Sequence, residues 1–355
     1  MNKLAARVED GLKQYPEISS FFNCQHLPTS LVGLHNSHPI LRWAWLPQPC
    51  RGNMLSALNH SIQCLQRHGF ADGADEMMTQ LAQNAGLFYT RVSEIFMAAH
   101  FLREGKLRDL SPLVSEASTE KRNDFEINLG GESALVELYT PGETAVPWEW
   151  GSRIHTIELT LCDACPAAVG HYDTHRLNTS APTGHDINKV DFNTPTSEAA
   201  AAIERWYGST ALSWKPECVY DSGDGFTVQA VPKNYNSQWG IAGEMTADLG
   251  AVSRGFFRKA KNGQLSQSAL CIAATDLART RDDADVHSLA CPAFDGLADN
   301  PPSLPREVDV LLVGLFELSG KNWGNLRWLH YTPQGEEALR SAGVVSTPGR
   351  QFCER

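Results

Sequence analysis

Apolar and polar residues alternate on both sides of a Gly-Gly pair near residue 130. The apolar positions follow a period of two and are Phe125, Ile127, Leu129, Ala134, Val136 and Leu138. That period is typical of half-buried β-strands. Gly130-Gly131 is a two-residue loop of the kind that supplies the positive φ angles of a tight hairpin. The pattern therefore predicts a β-hairpin that begins near Asp124.

Elsewhere the pattern predicts helices mixed with strands. Apolar residues between positions 81 and 102 recur at alternating spacings of four and three, which is the buried stripe of a helix that Gly105 ends. We expect this helix to cover residues 72–104. The other predicted elements are helices over residues 194–207 and 250–262 and strands over residues 154–161, 226–231, 269–274 and 308–316. Together they predict an α/β fold with a mixed sheet between helices.

The hairpin register brings two carboxylates together. If Gly130-Gly131 is the whole loop, Phe125 faces Val136 and Asp124 faces Glu137, with Cβ atoms about 5 Å apart. Like charges at opposed strand positions are destabilising. A hard divalent cation, which prefers carboxylate oxygens, would convert this repulsion into coordination. A solvated hairpin end would also make the pair harmless, so both interpretations stay open.

The helix, the short link, Asn123-Asp124, the hairpin and the segment 136–139 (Val-Glu-Leu-Tyr) resemble the PD-(D/E)XK nuclease superfamily. The resemblance implies a restriction-endonuclease-like fold. It implies catalytic and metal-binding roles for Asp124 and Glu137, which would hold Mg²⁺ or Mn²⁺. It also suggests a role in bacterial defence or genome maintenance.

Two positions depart from the family pattern. Asn123 replaces the family's Pro, and Tyr139 stands where the family carries its active-site Lys. The Lys would orient the attacking water and stabilise charge on the phosphate. Tyrosine can donate a hydrogen bond but brings no positive charge, so Tyr139 is a catalytic candidate with an altered role.

Glu94 is a further catalytic candidate, because the family's first core helix often carries an acid that is aimed at the site. An ordinary solvent-exposed helical Glu is the alternative interpretation. Four basic residues on the second core helix are candidates for nucleic-acid binding: Arg254, Arg258, Lys259 and Lys261. Their spacing would allow a face that meets phosphate, or one member could reach the site and replace the missing Lys. A solvated helical face is again the alternative.

A second constellation has the residue types of a zinc site. Cys162, Cys165, His171 and His175 form C-x2-C-x5-H-x3-H, and two thiolates with two imidazoles complete a tetrahedral set. The interval between the halves is shorter than in a zinc finger. The alternative is that Cys162 is the buried end of a strand and that the histidines lie on an exposed loop.

Composition agrees with a compact protein. The chain has 355 residues, 42% of them hydrophobic and 20% charged, with nine cysteines and a net charge of −11. The absence of a long apolar run and of a signal pattern predicts a cytoplasmic protein without a membrane partner. The acidic balance argues against nonspecific nucleic-acid binding but allows a local basic face. We expect a helical extension over residues 1–70, a nuclease-like core over 71–330 with an insertion at about 142–205, and a loosely held tail over 331–355.

Two functional hypotheses follow. The first is a metal-dependent endonuclease or phosphodiesterase that acts on DNA or RNA. The second is a catalytically degenerate nuclease-like module that binds a protein or a nucleic acid without cleavage. Tyr139 favours the second hypothesis, and the retained pair of Asp124 and Glu137 favours the first.

Overall fold

The computed structural model describes residues 3–22, 27–45, 50–85, 88–110, 124–140, 157–165, 175–180, 193–208, 215–223, 226–232, 249–265, 270–276, 297, 299–314 and 326–349. The labelled helices are α1 (Lys3–Lys13), α2 (Pro16–Ser19), α3 (Leu31–His35), α4 (Pro39–Trp45), α5 (Cys50–Arg67), α6 (Ala71–Gln83), α7 (Phe88–Arg103), α8 (Asn193–Tyr207), α9 (Leu249–Lys261) and α10 (Pro333–Ser341). The strands are β1 (Leu107–Asp109), β2 (Phe125–Leu129), β3 (Glu132–Tyr139), β4 (His175–Ser180), β5 (Glu217–Asp221), β6 (Thr227–Pro232), β7 (Leu270–Asp276), β8 (Val310–Gly314), β9 (Leu326–His330) and β10 (Thr347–Pro348).

The chain divides into two compact units. One consists of Met1–Glu9, Gln25–Pro47 and Thr144–Gly243, and it contains the antiparallel sheet β4-β6-β5. The other consists of Asp10–Cys24, Gln48–Glu143 and Glu244–Arg355. It contains a sheet with the strand order β1-β2-β3-β7-β8-β9-β10, in which parallel and antiparallel neighbours are mixed. The predicted α/β architecture with a mixed sheet between helices is confirmed.

Helices α7 and α9 cover opposite faces of the larger sheet. On the α9 side, Phe256 packs with Ala273 and Leu329 in one buried cluster. On the α7 side, the ring of Phe101 lies 6.1 Å from that of Phe125 and 6.3 Å from that of Trp328. Neighbouring residues of a strand point to opposite faces, so Trp328 and Leu329 mark the two sides. The end of β3 therefore lies between these two helices.

The hairpin has the predicted register. Phe125 pairs with Val136, Ile127 with Ala134 and Leu129 with Glu132. The φ angles of Gly130 and Gly131 are +62° and +97°. Residues other than Gly rarely adopt such angles, so the Gly-Gly pair fixes both the loop length and the register.

Three predicted elements differ from the structure. Residues 157–164 are helical, whereas a strand was predicted over 154–161, of which 154–156 lie outside the described residues. Leu161, Cys162 and Cys165 are buried at spacings of one and three residues, which one side of a helix provides and one face of a strand does not. The predicted helix over 72–104 is two helices, because Asn84 has an extended backbone (φ −133°, ψ 95°) after α6 ends.

The third correction concerns the predicted loose tail over 331–355. Thr332 accepts a hydrogen bond from the backbone of Gly335 and caps α10, and β10 adds a parallel strand beside β9. The described part of this segment thus forms a capped helix and the last strand of the larger sheet. Residues 350–355 lie outside the described residues.

Candidate active site

Asp124 lies immediately before β2 and is 6% exposed. The regular strand pairing ends at Phe125 and Val136, so Asp124 does not continue the ladder opposite Glu137 as predicted. Instead its backbone N–H donates to the carbonyl of Val136 (3.0 Å), and its Oδ2 accepts from the backbone N–H of Leu138 (2.7 Å). These two bonds fix the carboxylate against β3.

Glu137 lies on β3 on the face that α9 covers, and it is 2% exposed. Its Oε1 accepts a hydrogen bond from the ammonium group of Lys259, whose side chain is 17% exposed. The other oxygen, Oε2, is buried and has no hydrogen-bond partner among the described residues. One carboxylate oxygen is therefore paired with a cation while the second is unsatisfied, which is costly in a buried position.

Glu94 reaches the same cluster from α7. It is 2% exposed, so the alternative of an ordinary exposed helical Glu is wrong. Its Oε2 forms a buried ion pair with Nη1 of Arg91, one turn earlier on the helix. The Nε of Arg91 is buried without a hydrogen-bond partner among the described residues. Two helices thus bring one carboxylate and two cations to the hairpin.

The charges of Asp124 and Lys259 affect the pKa values of the carboxyl groups around them. Burial, followed by the charge of Asp124, raises the pKa of Glu94 from 4.5 to about 8, and the same two causes raise the pKa of Glu137 to about 8. Burial also raises the pKa of Asp124, against the lowering effect of Lys259. The positive charge of Lys259 lowers all three pKa values. Asp124, Glu137, Glu94, Arg91 and Lys259 therefore form one electrostatic unit, which we call the carboxylate cluster.

Tyr139 follows Glu137 by two residues on the same face of β3. Its ring packs edge-on against Phe256, with centroids 5.9 Å apart, and lies directly over Gly255. A Cβ at position 255 would overlap with the ring, so only Gly lets α9 approach this closely. Lys259 is one helical turn beyond Gly255. The contact of Tyr139 with Gly255 consequently sets the distance between α9 and β3, and therefore the position from which Lys259 reaches Glu137.

The four basic residues of α9 separate into two groups. Lys259 is directed to the carboxylate cluster, whereas Arg254, Arg258 and Lys261 are exposed. These three lie at spacings of four and three and share a face of the helix. Nucleic-acid binding by that face stays a prediction.

Ser93 and Asp276 were not predicted from the sequence. The Oγ of Ser93 donates to Oδ2 of Asp276 at 3.1 Å, and both residues are buried. Asp276 is the last residue of β7, so this bond ties α7 to the sheet next to the position of Glu94. Arg91 was not predicted either. Its position between the buried Phe88 and Ile95 indicates a buried charge, and a buried charge needs a partner.

No group of three or more His, Cys, Asp or Glu side chains in the described ranges is arranged to hold a metal ion. The donor chemistry of the carboxylate cluster nevertheless suits a hard divalent cation, because it presents carboxylate oxygens and one of them, Oε2 of Glu137, is buried and unpaired. An Mg²⁺ or Mn²⁺ role for Asp124 and Glu137 stays a prediction.

The predicted zinc ligands are only partly within the described residues, because His171 lies outside them. Burial, with the charges of Glu158 and Asp163, raises the pKa of Cys162 to about 12. Burial also raises the pKa of Cys165, whose Sγ donates to the carbonyl of Ala200 at 3.0 Å. Protonated thiols are poor zinc ligands. His175 is buried in β4, where its ring packs edge-on against Trp206 with centroids 5.3 Å apart, and not on an exposed loop.

Among the described helices, none combines the length and the apolar composition that are needed to span a membrane.

Comparison of the chain with protein-family models, with curated proteins and with solved structures found no match.

Proposed function

We propose that this protein is a metal-dependent nuclease with a restriction-endonuclease-like core, which hydrolyses phosphodiester bonds in DNA or RNA. The observation that carries the proposal is the ion pair of Lys259 with Glu137, next to the buried Asp124. It supplies the acid pair and the Lys that the superfamily pattern requires, although the Lys comes from a helix and not from β3.

The acids would hold the metal ion. Asp124 and Glu137 would be its ligands, with Glu94 as a nearby third carboxylate. Three buried carboxyl groups repel one another, as the raised pKa values of Glu94 and Glu137 indicate. A bound Mg²⁺ or Mn²⁺ would supply Lewis-acid activation of water and would neutralise charge on the scissile phosphate.

Lys259 would take the role that Tyr139 cannot perform. Its ammonium group lies at Oε1 of Glu137 and therefore within reach of a phosphate oxygen at the carboxylates. A positive charge there stabilises the negative charge that develops on phosphorus-bound oxygens during hydrolysis. Tyr139 then has a structural task, because its ring supports α9 at Gly255.

The exposed face of α9 would position the substrate. Arg254, Arg258 and Lys261 lie on the helix that also carries Lys259. Phosphate groups of a nucleic-acid strand on this face would lead toward the carboxylate cluster. Because the net charge is −11, the binding would depend on this local face and would weaken steeply with salt.

One observation favours a second candidate function, which is binding of a nucleic acid or a protein without cleavage. Tyr139 occupies the position of the family Lys, and its ring fills the space beside α9. If Lys259 only neutralises Glu137, the site is inactive and the fold acts as a binding module.

The test is cleavage of single- and double-stranded DNA and RNA with Mg²⁺ or Mn²⁺ by wild type, Asp124→Ala and Glu137→Ala. Cleavage that is lost in both variants would support the nuclease. If folded wild type binds a nucleic acid but cleaves none of the substrates, the second candidate is favoured. Cleavage that survives both substitutions would show that the site lies elsewhere.

A further inference from the structure

Two of the carboxylates in the cluster are already occupied by side-chain cations. Lys259 pairs with Glu137, and Arg91 pairs with Glu94. We propose that Arg91 and Lys259 are internal counter-ions that a divalent metal displaces, and that the displaced cations then bind a phosphate of the substrate. Metal and phosphate would therefore bind cooperatively. The inference rests on the proposed function and names the regulation of the same site.

The burial of the pairs distinguishes them from surface salt bridges. Side-chain exposure is 7% for Arg91, and 2% for each of Glu94 and Glu137. Exchange with water is restricted there, so an unpaired carboxylate would be unstable without another cation. A metal ion that takes a carboxylate oxygen must therefore compete with a bound ammonium or guanidinium group.

Unsatisfied atoms show that neither pair is complete. The Oε2 of Glu137 and the Nε of Arg91 are both buried without a hydrogen-bond partner in the described part of the chain. Most buried polar atoms in folded proteins have a hydrogen-bond partner. An acceptor that is free for a cation and a donor that is free for an anion match the two ligands of the proposed reaction.

The net charge of the carboxylate cluster also favours binding of the metal and the phosphate together. When ionised, the three carboxylates of Glu94, Asp124 and Glu137 exceed the two cations by one negative charge. A divalent metal alone would reverse this to one positive charge in a buried site, which is unfavourable. Addition of one phosphodiester anion restores neutrality. Metal and phosphate together are consequently better accommodated than either ligand alone, which is positive coupling and must be reciprocal.

The first test measures Mn²⁺ binding by the full chain, without nucleic acid, using titration calorimetry. Lys259→Met and Arg91→Met remove the competing cations, so each variant should bind Mn²⁺ at least about tenfold more tightly than wild type. Matched controls are Lys13→Met on α1 and Arg103→Met on α7, which remove the same charges at exposed positions. The controls should bind Mn²⁺ as wild type does.

The second test measures coupling. Binding of a phosphorothioate oligodeoxythymidylate to wild type should tighten at least about tenfold when Mn²⁺ replaces chelator, and this gain should be lost in Lys259→Met. Thermal unfolding of every variant in chelator and in Mn²⁺ shows whether it folds. If Lys259→Met is destabilised in chelator, Mn²⁺ should raise its melting temperature more than that of wild type.

The outcomes separate the inference from the proposed function. Equal or weaker Mn²⁺ binding by both folded variants, with binding by wild type intact, would overturn the counter-ion proposal and leave the nuclease proposal standing. Oligonucleotide affinity that is the same with and without Mn²⁺ would also overturn it. No Mn²⁺ binding by wild type or by any variant would overturn this inference and the metal-dependent function together.

Discussion

The ammonium group of Lys259 on α9 is hydrogen bonded to the carboxylate of Glu137 on β3, 122 positions away along the chain. The carboxylate is buried, so the Lys is its counter-ion inside the protein and not a surface partner. Because Asp124 lies beside the same strand, the contact brings a cation to a pair of acids. Under the proposed function, this cation would stabilise a phosphate that is bound at the acids.

If Lys259 supplies the positive charge that the family takes from a Lys on the strand, a Lys introduced on β3 should partly replace it. We expect Lys259→Met to lower the rate of cleavage by about 10²–10³. Adding Tyr139→Lys to that variant should recover at least about tenfold of the loss, since position 139 lies two residues after Glu137 on the same face. Single-turnover cleavage measures both. Tyr139→Met with Lys259→Met is the control without charge, and equal rates in the two double variants would contradict the exchange.

Gly255→Ala should destabilise the protein although Ala is the better helix former. In an ordinary helix interior the change would gain about 1 kcal/mol. Here the new methyl group overlaps with the ring of Tyr139, so we expect a loss of about 1–3 kcal/mol in the free energy of unfolding. Urea denaturation measures it.

A double-mutant cycle identifies the cause. In the Tyr139→Ala background the ring is absent, and Gly255→Ala should then be neutral or stabilising. A Gly255→Ala substitution that stabilises the chain while Tyr139 is present would show that the helix and the ring are not in contact.

The metal-free protein should become less stable as pH rises toward 8. The pKa values of Glu94 and Glu137 are raised from 4.5 to about 8 in the folded protein. Between those values the unfolded chain has lost protons that the folded protein retains, so the free energy of unfolding falls as pH increases and levels off above about 8. Glu94→Gln removes one of these groups. The total decrease in the free energy of unfolding over this pH range should therefore be smaller by about 1–3 kcal/mol in the variant.

Urea denaturation in chelator at several pH values between about 5 and 8 provides the comparison. Other titrating groups, such as His100, are present in both proteins and largely cancel in the difference. The same dependence on pH in wild type and Glu94→Gln would mean that the Glu94 carboxyl has an ordinary pKa.

The C-terminal segment should contribute to the stability of the hairpin. A Cβ at Gly130 would lie 2.7 Å from the carbonyl oxygen of Ala338 on α10, whereas a Cβ at Gly131 has no atom within 4 Å. Both residues have positive φ, so Ala costs about 1–2 kcal/mol of strain at either position. Gly130→Ala should cost at least about 1 kcal/mol more than Gly131→Ala. Equal melting temperatures for the two variants would contradict the packing of α10 against the hairpin.

The parts of the fold that local chemistry decides were predictable. The Gly-Gly pair and the period of two fixed the hairpin register from Phe125 to Val136. The apolar runs identified β7 and β8 because strands that are buried on both faces need no polar positions. In contrast, residues 157–164 have β-branched residues and alternation but are helical. Leu161, Cys162 and Cys165 are all buried, and these spacings of one and three residues fit one side of a helix and not one face of a strand.

The acids of the candidate site could be read from the sequence more easily than its cations. Asp124 and Glu137 follow from the hairpin, but four basic residues on α9 competed for one role. The decisive signal is that Lys259 falls on the buried stripe of Val252, Gly255 and Phe256, at a spacing of seven, four and three residues. Arg91 could be placed only once α7 was known to be buried almost all round. The role of Tyr139 depends on the approach of α9, which is a tertiary contact.

Single-turnover cleavage of a nucleic-acid substrate in Mn²⁺ measures the contribution of Lys259. The proteins compared are wild type, Lys259→Met and Lys13→Met, each shown to be folded under the assay conditions. Lys13 lies exposed on α1, and its replacement changes the net charge equally without touching the carboxylate cluster. We expect wild type and Lys13→Met to cleave at the same rate and Lys259→Met to be slower by about 10²–10³. Wild-type rates in folded Lys259→Met would contradict the assignment of Lys259 as the residue that replaces the family Lys.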